Sequence, residues 1–305
     1  MLDFTASLPV YIVTLREGFE AALVVGIVLA CLKKAGQSYL VRWVYQGIGG
    51  GLVASILIGF LLAGVLQGFA QSSNPYSPIL KEFLAAFLGL IAIVLLSWML
   101  VWMSKQAKSM KSEVETAIKK SIAQEDKAKQ GVFLIVFIAV LREGFESVIF
   151  VLSQFENGWQ GATIGAIAGL LSAVFLAFLL FKWGVKIDIR RFFQVMGVFL
   201  ILIVGGLVIG VLNQFNIAVT LLTQLNPTYA NWCLSSDSCL LGSQVWDASK
   251  ILPDHYFPGI LFKALFGYRE VIYWLQLILY VLFISGLSFF YFKSLNSPTV
   301  KLKST

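Results

Sequence analysis

Residues 14–26 read TLREGFEAALVVG and residues 141–149 read LREGFESVI. The same Arg-Glu-Gly-Phe-Glu pentad thus stands twice, each time inside an apolar run of about 20 residues, the length a helix needs to cross hydrocarbon. Ionised side chains are costly at that depth, so these residues must face a bundle interior or a water-filled cavity. At i,i+3 spacing the two glutamates of each pentad share one helical face, and the arginine neighbours the last glutamate at i,i+4. Four glutamates (Glu17, Glu20, Glu143, Glu146) and two arginines (Arg16, Arg142) leave two negative charges uncompensated. A cation, protons or water must complete the balance, because unpaired buried charge is untenable.

The whole chain supports a membrane setting. Of its 305 residues 58% are hydrophobic and 13% charged, with a mean hydropathy of +0.84, which leaves too little polar surface for a soluble helical domain. Spans are expected near 8–31, 42–66, 82–103, 131–153, 159–181, 192–213 and 271–292. The first lacks a basic leader and a small-residue cleavage site, so it reads as a retained helix and not a signal peptide. The predicted fold is therefore all-α, a polytopic membrane protein with seven transmembrane helices.

Charge in the connections sets direction. Lysine or arginine gathers in 32–41, in 104–130 with seven lysines against four acids, in 182–191 and in the tail, which alternate with poorer segments. Basic loops stay cytoplasmic, which places the N-terminus outside and the C-terminus in the cytoplasm. The +7 formal charge thus reports topology; no basic stripe with interleaved aromatics points to nucleic acid. The 104–130 segment reads as a solvated helix. Trp43, Trp98, Trp102, Trp159, Trp183 and Trp274 read as interfacial anchors.

Each pentad helix is followed by an apolar span and then by one opening on a charged residue and phenylalanine, KEFLAAFLGL at 81–90 and RRFFQVMGVF at 190–199. A three-helix unit used twice follows, over 8–103 and 131–213, within one 1–305 transport domain completed by a 214–270 outer loop and a seventh helix at 271–292. An odd number of spans per unit inverts the second copy relative to the first, which brings the acidic pairs to a common depth. Gly18 and Gly144 permit close helix approach. Phe19 and Phe145 are expected to pack beside the acidic face.

The ligand set is hard. With neither cysteine nor histidine at the pentads, oxygen ligation suits Fe³⁺, Mn²⁺, Mg²⁺ or Ca²⁺, and the carboxylate excess favours Fe³⁺. Arg16 and Arg142 are expected to orient carboxylates by hydrogen bonds and not to touch metal, since guanidinium has no lone pair to donate. Glu82, after Pro78, and Asp3 are candidates for drawing cations in from outside. Cys233 and Cys239 share the outer loop, where they would pair in an oxidising compartment, whereas Cys31 is a packing residue. Asp254 and His255 read as a local hydrogen-bonding pair, and PGILFKALFGY at 258–268 as a re-entrant or interfacial helix too short to span.

Two such pentads at matching repeat positions resemble the oxidase-dependent ferric iron permease family (the iron/lead transporters), in which Arg-Glu-x-x-Glu motifs stand in the first and fourth of seven helices. The GYREVIYWLQLILY stretch at 267–280 extends the likeness. The resemblance implies import of ferric iron through the bilayer as transported substrate, with no tightly bound cofactor. It implies an outer-side ferroxidase or periplasmic iron-delivery proteins as partners. Short tails favour a bacterial inner membrane. Tyr273 replaces the final glutamate of what would be a third motif at Arg269–Glu270. The competing readings are a carrier of another hard or divalent cation such as manganese or lead, and a membrane receptor or enzyme with a structural acidic cluster; no nucleotide motif or nucleophile–base set supports an enzyme.

Overall fold

The computed structural model describes residues 4–70, 76–106, 116–118, 128–154, 158–183, 188–225, 233, 235 and 238–296. Asp3, Glu156, Lys301, Lys303 and most of the 104–130 segment lie outside them. The described chain is almost entirely helical. Seven long helices are α1 (Phe4–Lys34), α2 (Val41–Ala70), α3 (Ser77–Gln106), α4 (Ala128–Ser153), α5 (Trp159–Phe181), α6 (Ile189–Leu225) and α8 (Trp274–Asn296). Between the last two come a short helix, α7 (Gly259–Phe266), and a two-stranded antiparallel ribbon of β1 (Gln244–Asp247) and β2 (Val271–Tyr273).

By length and composition, five described helical stretches can cross a membrane: 38–65, 77–102, 159–181, 191–225 and 274–294. The pentad helices α1 and α4 have the length, 31 and 26 residues, but each carries three ionisable residues in its pentad. Large apolar side chains cover the outside of the bundle, Phe60 at 74% exposure and Leu171 at 65% among them. A surface of that kind suits lipid and would aggregate in water.

Small residues decide how the helices pair. On α5, Gly161, Gly165, Gly169 and Ala173 form a buried stripe at four-residue spacing, which lets backbones meet as in small-xxx-small contacts. A Cβ at Gly165 would strike the Ser7 carbonyl oxygen, and one at Gly169 would sit 2.7 Å from the Tyr11 carbonyl oxygen. On α2 the stripe is Gly47, Gly51, Ser55 and Gly59, facing α4. There a Cβ at Gly47 would lie 2.9 Å from the Phe133 carbonyl oxygen, and one at Gly51 3.1 Å from that of Phe137. The pairs are thus α1 with α5 and α2 with α4, while α3 packs on α6. The main apolar core joins α1, α3 and α6 through Val10, Ala86, Leu96, Leu200 and Val204. A second core at the opposite end gathers Val28, Leu32, Leu40, Val132 and Val136 with Ile118, the buried residue of the short described piece of 104–130.

The 214–270 segment departs from its reading as a loop. Helix α6 runs on through Asn213 and Asn216 to Leu225. Asn216 does not end the helix because its side chain is used elsewhere: Oδ1 accepts from Ser238 Oγ at 2.7 Å and from Leu240 N at 3.0 Å. Residues 271–273 form a strand, so the last helix starts at Trp274 and not at 271; Trp246 pairs with Ile272 and Asp247 with Val271. The fold is therefore helical with one small ribbon. Helix α7 has eight residues, too short to span as expected, and ends at Gly267 in the left-handed region (φ 68°). Gly267 lies directly against Gly206 of α6, and Leu265 reaches the main core. Cys233 and Cys239 are joined by a disulfide.

Candidate metal centre

The pentads occupy the middles of α1 and α4, where helical geometry turns Arg16, Glu17 and Glu20 to one side and Arg142, Glu143 and Glu146 to one side. Close approach sets these helices in place. A Cβ on Gly18 would lie 2.9 Å from Ala173 Cβ of α5, and one on Gly144 would overlap the Ser55 hydroxyl of α2. Glu17, Glu143 and Glu146 converge: each offers a carboxylate oxygen, and the three lie within 4.8 Å of one another. Glu20 stands outside this trio.

The arginines bond to carboxylates. Arg16 Nη1 donates to Glu17 Oε1 at 2.9 Å, and Nη2 lies 2.9 Å from Glu20 Oε1, with all three side chains buried. On the other helix Arg142 Nε donates to Glu146 Oε1 at 3.2 Å. The two halves differ in cover, because the Arg142 side chain is 40% exposed and that of Arg16 only 4%. Three buried oxygens in the trio, Glu17 Oε2, Glu143 Oε2 and Glu146 Oε2, have no hydrogen-bond partner. Such oxygens are expensive to leave bare. Their donor set of carboxylates fits a hard cation.

Two neighbours were not legible as site residues. Trp102, read as an interfacial anchor, has the Arg142 guanidinium 4.8 Å above its ring, a cation–π contact that steadies the more exposed arginine. Met99 Sδ lies 3.5 Å from Arg16 Nη1. Only their one-turn spacing on α3 could have hinted at either. Phe19 is fully buried and packs on Phe192 and Phe193 with centroids at 4.6 and 6.3 Å, a packing role, whereas Phe145 is partly exposed. Glu82 is half-buried near the start of α3 and is not one of the three converging carboxylates.

Above the pentads a cavity of about 60 Å³ is lined by Pro9, Gly89, Gln154, Gln214, Lys263 and Arg269 among others. In the ribbon beside it, the Ser249 hydroxyl and N–H hold Asp247 below the usual carboxylate range.

A helical bundle with several apolar spans and an apolar outer surface defines a multi-pass membrane protein. The chain belongs to the Iron permease FTR1 family, which it matches over residues 7–290; it is a transporter and not an enzyme. It is 51% identical over 296 residues, 96% of each chain, to the uncharacterized protein slr0964 of Synechocystis. It is 29% identical over 264 residues to the ferrous iron permease EfeU of Escherichia coli O157:H7, covering 85% of this chain and 86% of that one. With the ferrous iron permease EfeU of Yersinia pestis the identity is 28% over 261 residues, 85% of this chain and 84% of the other. No solved structure matches the chain.

Proposed function

We propose that this permease imports iron across a bacterial inner membrane and holds it as Fe³⁺ between α1 and α4. Glu17, Glu143 and Glu146 supply oxygen ligands, and Glu20 is a fourth carboxylate held by Arg16. The observation that carries this reading is the convergence of three carboxylates from two separate pentads, each with one buried oxygen that has no hydrogen-bond partner. Arg16 and Arg142 keep the carboxylates in place when the ion has left, and offset their repulsion.

The seven long helices are seven spans, arranged as inverted units α1–α3 and α4–α6 with α8 added. The packing supports this. Ser7 and Phe133, and likewise Tyr11 and Phe137, are separated by the same offset as Arg16 and Arg142, and each pair meets the equivalent glycines of α5 and α2. Exchanging the units turns the α1–α5 contact into the α4–α2 contact and returns α3–α6 to itself. A two-fold relation between the units accounts for this exchange and supports the inverted arrangement, in which the site lies at their interface. Basic loops put the N-terminus outside and the C-terminus in the cytoplasm, and the Cys233–Cys239 disulfide suits an oxidising outer side. An interior-negative potential contributes about 2.3 kcal/mol per charge per 100 mV towards uptake. An outer ferroxidase or periplasmic delivery protein would present the ion, and Glu82 and Asp3 would help admit it.

A second reading, Fe²⁺ as the transported form, is favoured by the names of the EfeU relatives. Uptake of radioactive iron into proteoliposomes, supplied once as a ferric chelate and once as ferrous iron under ascorbate, separates the two. Ferric import requires uptake from the first supply, and Glu→Gln at each trio member should abolish it. Uptake from the ferrous supply alone overturns the ferric assignment, and parental rates in all variants overturn the site.

A further inference from the structure

A second group of metal-ligating side chains lies outside the pentads, and distant parts of the sequence build it. The β1–β2 ribbon brings Glu270 beside the 248–258 loop: Ala248 N donates to the Glu270 carbonyl oxygen at 2.8 Å. Asp254 N donates to the Glu270 carboxylate, Oε2, at 3.3 Å. The loop is thereby wrapped around that carboxylate. Asp254, His255 and Glu270 each present a ligand atom, all within 4.8 Å of one another.

Asp254 is 4% exposed although it carries a carboxylate. Its Oδ2 pairs with Lys263 Nζ at 2.9 Å. Its Oδ1 is buried and has no hydrogen-bond partner; His255 Nε2 is 3.2 Å away without forming a hydrogen bond to it. A bare buried carboxylate oxygen beside an imidazole nitrogen at that separation is how two ligands of one ion stand. Imidazole rings that merely cap a carboxylate align the N–H with the oxygen. His255 is mostly exposed, so an ion in solution has direct access.

We propose that Asp254, His255 and Glu270 form a second cation site, which takes a divalent first-row transition metal such as Fe²⁺ or Mn²⁺. One imidazole and two carboxylates suit that class, whereas the pentad trio offers oxygen alone. Lys263 tunes the site. Its ammonium occupies Oδ2 and repels a bound ion, which keeps binding weak and exchangeable. Lys263 also lines the cavity above the pentads with Pro9, Gln154 and Gln214. An ion on Oδ1 weakens the hold of Asp254 on Lys263 and so couples the loop to that cavity.

His255 is the only histidine in the chain, which makes its nitrogen a unique reporter. The test is pulsed EPR on full-length, tag-free protein loaded with Mn²⁺. The expected result is imidazole ¹⁴N modulation on bound Mn²⁺, absent in H255Q, while Mn²⁺ at the pentads persists. Glu270→Gln should weaken the nitrogen-coupled binding by about tenfold or more, and K263M should tighten it. Mn²⁺ saturation without nitrogen modulation, or modulation surviving in H255Q, overturns the proposal. Because H255Q changes an exposed side chain and the readout is binding, neither outcome depends on whether the pentads transport iron.

Discussion

Substituting Gly169 by alanine tests whether backbone contact between α1 and α5 holds the first pentad in place. A Cβ there would lie 2.7 Å from the Tyr11 carbonyl oxygen, 2.9 Å from Leu15 N and 3.0 Å from Thr14 Cβ. Ordinary C···O contacts run about 3.3–3.6 Å, so the helices must part by roughly 0.6–0.9 Å. Two of the three obstacles are backbone atoms and cannot swing aside. Overpacking of this kind costs about 1–3 kcal/mol, against a gain of about 1 kcal/mol from replacing a helical glycine. Gly49 of α2 is the control, because a Cβ there meets nothing within 4 Å and only the gain applies. In equilibrium unfolding in mixed micelles, G169A should fall about 1–3 kcal/mol below G49A. Gly51→Ala, whose Cβ would meet Val140 Cβ at 2.9 Å and the Phe137 carbonyl oxygen at 3.1 Å, should behave like G169A. Iron uptake should fall in both, since Arg16 and Glu17 follow Leu15 directly and the Val140 contact lies two residues before Arg142. G169A and G51A as stable and active as G49A would refute the packing argument.

Replacing Arg16 by lysine keeps the charge but cannot hold Glu17 and Glu20 at once through two nitrogens, so uptake should drop well below parental at unchanged expression; R142K should be milder because Arg142 has one carboxylate contact and is more exposed. Iron binding should weaken as pH falls, because ligand carboxylates must lose their protons and binding releases them; titration calorimetry in two buffers of different ionisation enthalpy reads that release. Glu82→Gln should impair capture at low external iron and keep much of the maximum rate, measured as uptake against concentration. After mild reduction, a membrane-impermeant maleimide added outside intact cells should label Cys233 and Cys239; labelling only after lysis would reverse the proposed orientation.

Much of the site could be read from the sequence because its information is local. Arginine and glutamates at i, i+1 and i+4 in an apolar helix have few acceptable environments, and finding the pattern twice already brings the pentads together. What the sequence did not yield depended on distant contacts. Asn216 carries a loop signal, yet here its side chain satisfies Leu240 N and Ser238 Oγ, so the helix passes through it to Leu225. Val271, Ile272 and Tyr273 look like the start of a span, and become a strand only because Gln244–Asp247 pairs with them. The small-residue stripes on α2 and α5 emerge only from the packing, because which helix each faces depends on distant contacts. Glu270 reaches Asp254 through the ribbon, a link that spacing along the chain does not suggest.

The central claim is that one ion sits between the two pentads, and a structure of the iron-loaded protein with anomalous scattering measured at the iron edge tests it most directly. The account predicts one iron peak between α1 and α4, with carboxylate oxygens of Glu17, Glu143 and Glu146 at about 2.0–2.3 Å and Arg16 and Arg142 bonded to carboxylates. Iron bound elsewhere, with the three carboxylates unliganded at saturation, would contradict it.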